Sequence, residues 1–388
     1  MTVTITPTRL EGTLTPPPSK SQAHRLLIAA ALAGGTSQIE NLAHSEDIAA
    51  TKNCLTALME KTDRLPHLDC HESGSTLRFF IPLALALRGG GVFTGSTRLM
   101  ERPQDPYFAI FREKNIQYTQ GNGTLTVVGT LPAGVYSLPG NVSSQFVTGL
   151  LYALPLLAGD SDIMLTSTLE SRGYVDMTLD VLRKFGIVIH EVSPTEFHVP
   201  GNQSYRPSHQ TVEPDYSQAA FFLAANALGN SVILQGLQED SKQGDKAILE
   251  YSARLSAKGT VTLDVSQCPD LVPALAVEAA LRAGERTYLV NAARLRLKEC
   301  DRLDGVTKEL CKLGVRVEQT PDSLEILGVQ TLSGGTTDSH NDHRIAMMLA
   351  VAATRATGDV TICGAEAVGK SYPDFWKDYV NLGGSIKL

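Results

Sequence analysis

The chain has 388 residues, 43% of them hydrophobic, and a formal net charge of −7 at pH 7. This length suffices for two domains, and the negative charge argues against a nucleic-acid partner, which needs a basic surface. Gly, Pro or charged residues interrupt each apolar stretch before it reaches membrane-spanning length. The six cysteines form no CxxC pair, which disfavours disulfides and zinc, so we expect a reduced cytoplasmic protein without a signal peptide.

One pattern occurs six times along the chain. Each copy runs from a small or charged cluster into about a dozen Ala- and Leu-rich residues, then a glycine, then a β-branched strand. The clusters are, in chain order, KSQAHR (20–25), SGSTLR (73–78), SSQFVT (143–148), DYSQAA (215–220), CPDLVP (268–273) and NDHRIA (341–346). Such a repeat indicates that the fold is an array of one supersecondary unit.

A strand follows each glycine, and a second helix and a hairpin complete the unit. The strands are predicted over residues 36–42, 91–97, 161–168, 230–237, 285–292 and 359–365. The second helix is clearest over 175–186 and 304–314, where apolar residues recur at i, i+3, i+4 and i+7. Hairpins follow over 187–201 and 315–328. The unit is therefore helix, strand, helix, strand, strand, and several units must pack together to bury their helices.

Six units divide into two sets of three, and two stretches suit the crossings between the sets. Pro16–Pro18 cannot sit inside a helix or a central strand, and residues 211–216 are polar. The first strand then belongs with the C-terminal half. We therefore predict one domain of residues 1–18 with 213–388 and a second of residues 19–212, with a hinge that closes a cleft on the ligand.

Small and cationic residues begin the helices of the first three copies. Lys20, Ser21 and Arg25 lie at the first start, Ser73–Arg78 at the second, and Ser143–Gln145 at the third. Helix N-termini attract anions because their free N–H groups carry a partial positive charge. N-capping by serine is the alternative for any single start. The three starts together, with lysine and arginine among them, favour anion binding.

Further cations stand beside Gly and Ser at the ends of predicted elements. They are Arg98, Arg102, Arg172, Lys298, Arg302, Arg344 and Lys370. Cations concentrated at such places in an acidic protein indicate a polyanionic small molecule as the substrate. Solvated surface charge is the alternative for each of these residues alone.

Two carboxylates and one histidine pair are candidates for chemistry. Asp270 heads an apolar helix as either a cap or a base, and Glu299, flanked by cations, needs partial burial to transfer a proton. Capping or ion pairing is the alternative for both. His340 and His343, with Asp342, suggest a metal, but no further ligand follows at a useful spacing, so we predict no metal site.

Nine motifs along the whole chain carry a resemblance to one enzyme family. In chain order they are PSKSQAHR, ESGSTLRF, ERPQDP, NVSSQF, SRGYVDMT, PDLVPALA, RLKECDRL, NDHRIAM and GKSYPDF. Their order resembles that found in the EPSP synthases, the 3-phosphoshikimate 1-carboxyvinyltransferases. The resemblance implies an α/β fold of two domains with three βαβαββ units each, an inside-out α/β barrel arrangement hinged by two crossover strands.

The resemblance also implies transfer of the enolpyruvyl group of phosphoenolpyruvate to the 5-hydroxyl of shikimate 3-phosphate, with release of phosphate. No metal or organic cofactor is implied, and the partners are these small molecules, without nucleic acid or membrane. We expect a monomer. In the family, sensitivity to glyphosate is associated with glycine at the position of Gly74, so we expect inhibition.

The site residues that the resemblance implies fall into three groups. Shikimate 3-phosphate would be held by Lys20, Ser21, Arg25, Ser143, Ser144, Gln145, Ser171, Asp270 and Lys298. Phosphoenolpyruvate would be held by Lys20, Gly74, Arg102, Gln145, Arg302, Arg344 and Lys370. Lys20, Asp270 and Glu299 would be catalytic, with Asp270 as the base on the 5-hydroxyl and Glu299 as the proton donor to the enol methylene.

The sequence departs from the family pattern at three places. Glu72 stands where many members have Asn, and Arg294 stands where some members have a substrate-binding Asn. The first copy is short, because the chain passes from the helix near Thr51–Met59 through KTDRLPHLDC to the next motif. We expect a trimmed sheet edge there, with the site intact.

Two other functions and a structural role stay open. A UDP-N-acetylglucosamine enolpyruvyl transferase shares the fold and chemistry, but that family usually has a Lys-Asn pair where this chain has Lys20-Ser21, and a loop Cys that residues 98–106 lack. A catalytically inactive anion-binding homologue would explain Glu72 and the trimmed copy. A purely structural repeat array gives no reason for cations at the helix starts.

Overall fold

The computed structural model describes residues 1–387, which form two compact units. The central unit is Lys20–Val212, and the terminal unit joins Met1–Ser19 to the residues from Glu213 onward. Each unit combines helices with mixed sheets, so the predicted α/β fold class is confirmed. Within residues 1–387, no helix combines the length and the apolar character needed to cross a membrane.

The elements follow the predicted repeat closely. The helices of residues 1–387 are α1 (Lys20–Leu32), α2 (Glu46–Met59), α3 (Gly74–Arg88), α4 (Thr97–Glu101), α5 (Asp105–Glu113), α6 (Ser144–Ala153), α7 (Arg172–Lys184), α8 (Tyr216–Ala227), α9 (Ile248–Leu255), α10 (Val272–Ala280), α11 (Arg302–Lys312), α12 (His343–Ala353) and α13 (Phe375–Asn381). The strands are β1 (Thr2–Thr6), β2 (Glu11–Leu14), β3 (Gln38–Glu40), β4 (His67–Asp69), β5 (Gly90–Thr94), β6 (Gln117–Gly121), β7 (Thr124–Val128), β8 (Gly134–Leu138), β9 (Ser161–Leu165), β10 (His190–Ser193), β11 (Glu196–Val199), β12 (His209–Thr211), β13 (Ser231–Leu234), β14 (Val261–Asp264), β15 (Arg286–Val290), β16 (Arg316–Gln319), β17 (Leu324–Leu327), β18 (Gly335–Asp338), β19 (Val360–Cys363) and β20 (Ser385–Lys387). Short 3-10 helices cover Leu154–Leu156, Gly244–Ala247, Pro269–Leu271, Ala293–Leu297 and Ala365–Lys370.

Four sheets have four strands each, the number in the βαβαββ unit that the resemblance implies. Their strand orders are β4-β5-β7-β6, β8-β9-β11-β10, β14-β15-β17-β16 and β18-β19-β1-β20. In each sheet the first two strands are parallel and the other two run antiparallel to their neighbours. The sixth copy takes β1 from the start of the chain as its third strand, so chain start and chain end share one sheet.

The remaining two sheets have two strands each, β12 with β3 and β13 with β2. The first of these belongs to the copy whose hairpin was predicted to be missing. The second belongs to the fourth copy, for which a complete unit was predicted, and that prediction is wrong. The chain passes directly from α9 to β14, the opening strand of the next sheet. An alternating segment such as TVTLD fits a hairpin strand and a parallel strand equally well, so its pattern did not reveal the loss.

One arginine holds each of the two shortened connections. Arg88, the last residue of α3, donates to four backbone carbonyls at the end of α2 and in the loop that follows, at 2.5 to 3.0 Å, those of Leu58, Glu60, Thr62 and Arg64. Arg282, just after α10, donates to three backbone carbonyls at the end of α9 and in the loop that follows, at 2.7 to 2.8 Å, those of Leu255, Ala257 and Gly259. The two arginines occupy equivalent places in the second and fifth copies. In both places, an arginine that binds the carbonyls of the short connection takes the place of the missing hairpin.

We expect Arg88→Ala and Arg282→Ala each to lower the free energy of unfolding by about 2 kcal/mol, because several carbonyls lose a donor at once. The measurement is urea denaturation. The control is Arg112→Ala, which removes an exposed 2.9 Å bond to the Tyr118 hydroxyl. A loss no larger than that of the control would contradict this role for the two arginines.

The helices that carry the repeated clusters form the core of each unit. α3, α6, α10 and α12 are buried on nearly every side, as expected for helices that are apolar all round. Because their sides are covered, polar residues of these helices concentrate at the N-terminal turns. The N-terminal turns are therefore the parts of these helices whose polar side chains can take part in binding or catalysis.

Candidate active site

A cluster of charged side chains in the terminal unit is centred on Arg302, the first residue of α11. Its side chain is buried, and its guanidinium contacts the carboxylates of Asp342 at 2.9 Å, Glu299 at 2.7 Å and Asp270 at 3.0 Å. Burial disfavours the charge, but these carboxylates more than compensate and raise the pKa of Arg302 above its ordinary value. Arg302 is therefore a fixed cation to which the carboxylates are anchored.

Asp270 lies in the 3-10 helix that precedes α10 and contacts three cations. Its carboxylate is 3.2 Å from Lys298, 3.0 Å from Arg302 and 3.2 Å from Arg344. Burial opposes ionisation, yet Arg344, Lys298 and Arg302 together hold the pKa of Asp270 well below its usual range. The side chain is ionised, and it does not cap the following helix. The ion pairing that was the alternative for Asp270 is therefore present, and its role as a base stays a prediction.

Lys370 and Arg344 meet the edge of the same cluster. Lys370 donates from Nζ to the Asn341 carbonyl at 2.6 Å. The next residue, Asp342, caps α12 by accepting the Arg344 backbone N–H at 2.8 Å while it also binds Arg302. The structure thus brings together in one cluster all six terminal-unit residues that the resemblance implied would bind substrate or transfer protons.

Sequence reasoning did not assign Asp342 or Asp245 to the site. Asp342 was considered with the histidines as a metal ligand, although an acidic residue directly before a helix signals an N-cap. Asp245 is buried, and burial together with the charge of Asp270 raises its pKa to about 6. No motif contains Asp245, so no sequence signal singled it out.

The two histidines that suggested a metal have separate surroundings. His340 lies 2.7 Å from a carboxylate oxygen of Glu309, and its backbone N–H binds Asp338. His343 is buried at the start of α12.

In the central unit, Lys20 and Arg25 lie on the first turns of α1. Lys20 begins the helix and pairs with Asp47 at 2.8 Å. Arg25 is buried and donates to the Thr178 hydroxyl at 2.8 Å and, from Nη1, to the Ser21 carbonyl at 2.7 Å. Burial lowers the pKa of Arg25 to about 10, so it is still charged at neutral pH. The helix start therefore carries two fixed cations.

Gly74 begins α3 and lies directly under Arg102. A Cβ at this position would be 2.7 Å from Nη1 of Arg102, closer than two such atoms can approach. Arg102 follows the short helix α4, and its side chain is buried. Glycine therefore allows the guanidinium to lie against the first turn of α3, where free backbone N–H groups add to the positive field.

The starts of α3 and α6 are linked through Gln145. Its side-chain oxygen accepts from Arg78 at 2.7 Å, and its amide nitrogen donates to the Ser75 hydroxyl at 3.0 Å. Ser143 caps α6 by accepting the Gln145 N–H at 3.3 Å, and Ser144 is buried beside it. Arg78 was noted in its cluster but not predicted as a site residue.

Ser171, predicted to bind substrate, has an unusual backbone. It precedes α7 with φ 56°, in the left-handed region that non-glycine residues seldom adopt, and its side chain is buried. Such conformations concentrate at functional sites because the surrounding structure must hold them in place.

Arg294 and Glu72, two of the three departures from the family pattern, lie in defined surroundings. Arg294 donates to the Ser266 carbonyl. Glu72 lines a polar depression of the central unit together with Glu46 and Asp69. The extra negative charge of Glu72 thus joins an acidic surface next to the start of α3.

Comparison with known proteins gives matches along the whole chain. Residues 5–379 match the family model described as EPSP synthase (3-phosphoshikimate 1-carboxyvinyltransferase). Two relatives named 3-phosphoshikimate 1-carboxyvinyltransferase are 46% identical over 417 positions, from Clostridium kluyveri, and 43% identical over 421 positions, from Clostridium perfringens. The first match covers 99% of this chain and 98% of the relative, and the second covers 99% of both. Both alignments are longer than the 388-residue chain, which agrees with two shortened copies.

Solved structures give the same result. The EPSP synthase of Acinetobacter baumannii is 25% identical, with a TM-score of 0.80 over 100% of both chains. The enolpyruvyl transferase NikO of Streptomyces tendae, at 18% identity and a TM-score of 0.80, shares the fold. The resemblance deduced from the nine motifs is confirmed. This chain belongs to the EPSP synthase (3-phosphoshikimate 1-carboxyvinyltransferase) family.

Proposed function

We propose that this protein transfers the enolpyruvyl group of phosphoenolpyruvate to the 5-hydroxyl of shikimate 3-phosphate. A bond forms between the hydroxyl oxygen and C2 of phosphoenolpyruvate, and the C2–O bond to phosphate breaks. The hydroxyl loses its proton, and the methylene carbon gains one and returns one. The observation that carries the proposal is the Arg302 cluster, in which the carboxylates of Asp270 and Glu299 converge with several cations in one place.

Two polyanionic substrates repel each other, so their binding requires fixed positive charge. We propose that shikimate 3-phosphate is held by Lys20, Ser21, Arg25, Ser143, Ser144, Gln145, Ser171, Asp270 and Lys298. We propose that phosphoenolpyruvate is held by Lys20, Gly74, Arg102, Gln145, Arg302, Arg344 and Lys370. Helix N-termini and guanidinium groups offset the repulsion because they are already oriented before the substrates bind.

We propose that Asp270 and Glu299 transfer the protons of the reaction. Asp270 is ionised and accepts hydrogen bonds, so it can take the proton of the 5-hydroxyl. Glu299 is the proposed proton donor to the methylene. Its side chain is partly buried and lies 2.7 Å from Arg302, a contact that favours the ionised form, so Glu299 has to take up a proton during the reaction before it can donate one. Lys20 would stabilise negative charge that develops as phosphate leaves. Residues 19–212 and residues 1–18 with 213–388 would be the two domains of a monomeric cytoplasmic enzyme that needs no cofactor.

The reaction is tested by measuring phosphate release from phosphoenolpyruvate with shikimate 3-phosphate as the acceptor. A parallel reaction contains UDP-N-acetylglucosamine instead. We expect release with shikimate 3-phosphate alone. Release with the nucleotide sugar would assign the other acceptor, and shikimate 3-phosphate binding without release would indicate an inactive homologue.

A further inference from the structure

Four buried side chains of the central unit form a continuous hydrogen-bonded chain across three helices. His24 Nδ1, on α1, is 2.7 Å from the Thr51 hydroxyl on α2. The Thr51 hydroxyl is 2.7 Å from that of Thr76 on α3, which donates to the Ser73 hydroxyl at 2.7 Å. Each side chain is exposed by 1% or less. We call this set the His24–Ser73 chain.

The hydroxyl groups determine which atom donates in each hydrogen bond of the His24–Ser73 chain. Each hydroxyl has one proton to donate. Because Thr76 donates to Ser73, it accepts from Thr51, and Thr51 accepts from Nδ1–H of His24. Burial, then the charges of Lys20 and Arg25, lower the pKa of His24 well below its ordinary value, so the ring is neutral. The ring therefore carries its proton on Nδ1.

The His24–Ser73 chain would lower the stability of the fold if stability were its only role. Nε2 of His24 is buried and has no hydrogen-bond partner within residues 1–387. A buried polar group without a partner destabilises a fold, and well-packed apolar residues would fill the same space at less cost. A role other than stability is needed to explain four buried polar residues here.

The ends of the chain lie beside residues of the proposed site. His24 is one turn after Lys20 on α1, and Thr51 is one turn after Asp47 on α2. The Lys20–Asp47 ion pair and the His24–Thr51 hydrogen bond therefore join the two helices one turn apart. Ser73 caps α3 by accepting the Thr76 N–H at 3.2 Å, immediately before Gly74. The chain thus connects the turn that carries Lys20 to the turn that begins with Gly74.

We propose that His24, Thr51, Thr76 and Ser73 are positioning residues, which fix the start of α1 relative to the start of α3. The inference rests on the proposed function, in which Lys20 and Gly74 both hold phosphoenolpyruvate. Two groups that bind one small anion must keep their separation closely, because displacements of about 1 Å cost up to a hundredfold in rate. A hydrogen-bonded chain has fixed lengths and directions, whereas apolar contacts tolerate sliding.

The test compares Thr51→Val with Thr51→Ser in the full-length protein. Valine keeps the shape but removes the hydroxyl, whereas serine keeps the hydroxyl. We expect Thr51→Val to raise KM for phosphoenolpyruvate about tenfold or more and to change KM for shikimate 3-phosphate much less. Thr51→Ser should resemble the wild type. His24→Asn, whose amide can donate from the Nδ1 position, should retain activity that His24→Leu loses.

Hydrogen exchange provides a second readout that does not depend on activity. We expect amide exchange in the first turn of α3 to be faster in Thr51→Val than in Thr51→Ser, with thermal unfolding confirming that both are folded. An inactive wild type would refute the proposed function and leave exchange to decide the positioning role. Wild-type exchange in Thr51→Val, or equal rises of both KM values, would overturn that role.

Discussion

We expect Asp270→Asn to lower kcat by about a thousandfold while shikimate 3-phosphate still binds, because asparagine cannot accept the proton of a hydroxyl. The change keeps the size of the side chain and its capacity to hydrogen-bond. The measurement is steady-state phosphate release, with binding of shikimate 3-phosphate followed by calorimetry.

The charges around Asp270 explain why its strength as a base has to be tested while the substrates are bound. Lys298, Arg302 and Arg344 keep Asp270 ionised, and a carboxylate of such low pKa is a weak base. Phosphate and carboxylate groups of the substrates would compete for the same cations. Their binding would therefore raise the proton affinity of Asp270 when a base is needed.

The matched control is Glu318→Gln, which removes a carboxylate paired with Arg316 at 2.7 Å on the surface of the same unit. Its kcat should equal that of the wild type. Near-normal turnover in folded Asp270→Asn would exclude Asp270 as the base.

Gly74→Ala should raise KM for phosphoenolpyruvate about tenfold to a hundredfold, the loss expected when one charge-assisted hydrogen bond is displaced. The added Cβ would lie 2.7 Å from Nη1 of Arg102. Because that atom is the far end of a flexible side chain, Arg102 moves and the backbone does not. The thermal unfolding transition should therefore stay close to that of the wild type, and the effect should appear in substrate binding.

Gly121→Ala is the control for this change. A Cβ at Gly121 meets nothing within 4 Å, so the same substitution there should leave both KM values unchanged. An unaltered KM for phosphoenolpyruvate in Gly74→Ala would show that the approach of Arg102 to the start of α3 does not matter for binding.

The sequence predicted the features that depend on residues close to one another along the chain. The six helix starts carry capping and small residues, and their apolar periodicity is regular, so the positions of Lys20, Gly74 and Asp270 at or beside helix starts followed from the repeat. The missing hairpin of the first copy was visible because only KTDRLPHLDC separates the helix near Thr51–Met59 from the next motif, which leaves no room for a hairpin. The missing hairpin of the fourth copy was hidden by a segment that alternates like a strand.

Contacts between distant residues could not be predicted in the same way. Arg302 lies 40 residues from Asp342, and no spacing rule connects the two. Asp245, a lone carboxylate in a loop, becomes significant because the fold buries it near Asp270. The clash that a Cβ at Gly74 would make with Arg102 likewise depends on tertiary packing, which follows from the arrangement of whole elements.

The most direct test of the central claim follows the bridging oxygen of phosphoenolpyruvate, labelled with a heavy isotope, during turnover with shikimate 3-phosphate. Enolpyruvyl transfer breaks the bond between C2 and this oxygen, so the account predicts that mass spectrometry finds the label in the released phosphate and the enolpyruvyl ether on the acceptor. Label retained in pyruvate, with unchanged shikimate 3-phosphate, would mean that the protein hydrolyses phosphoenolpyruvate at phosphorus and would contradict the account.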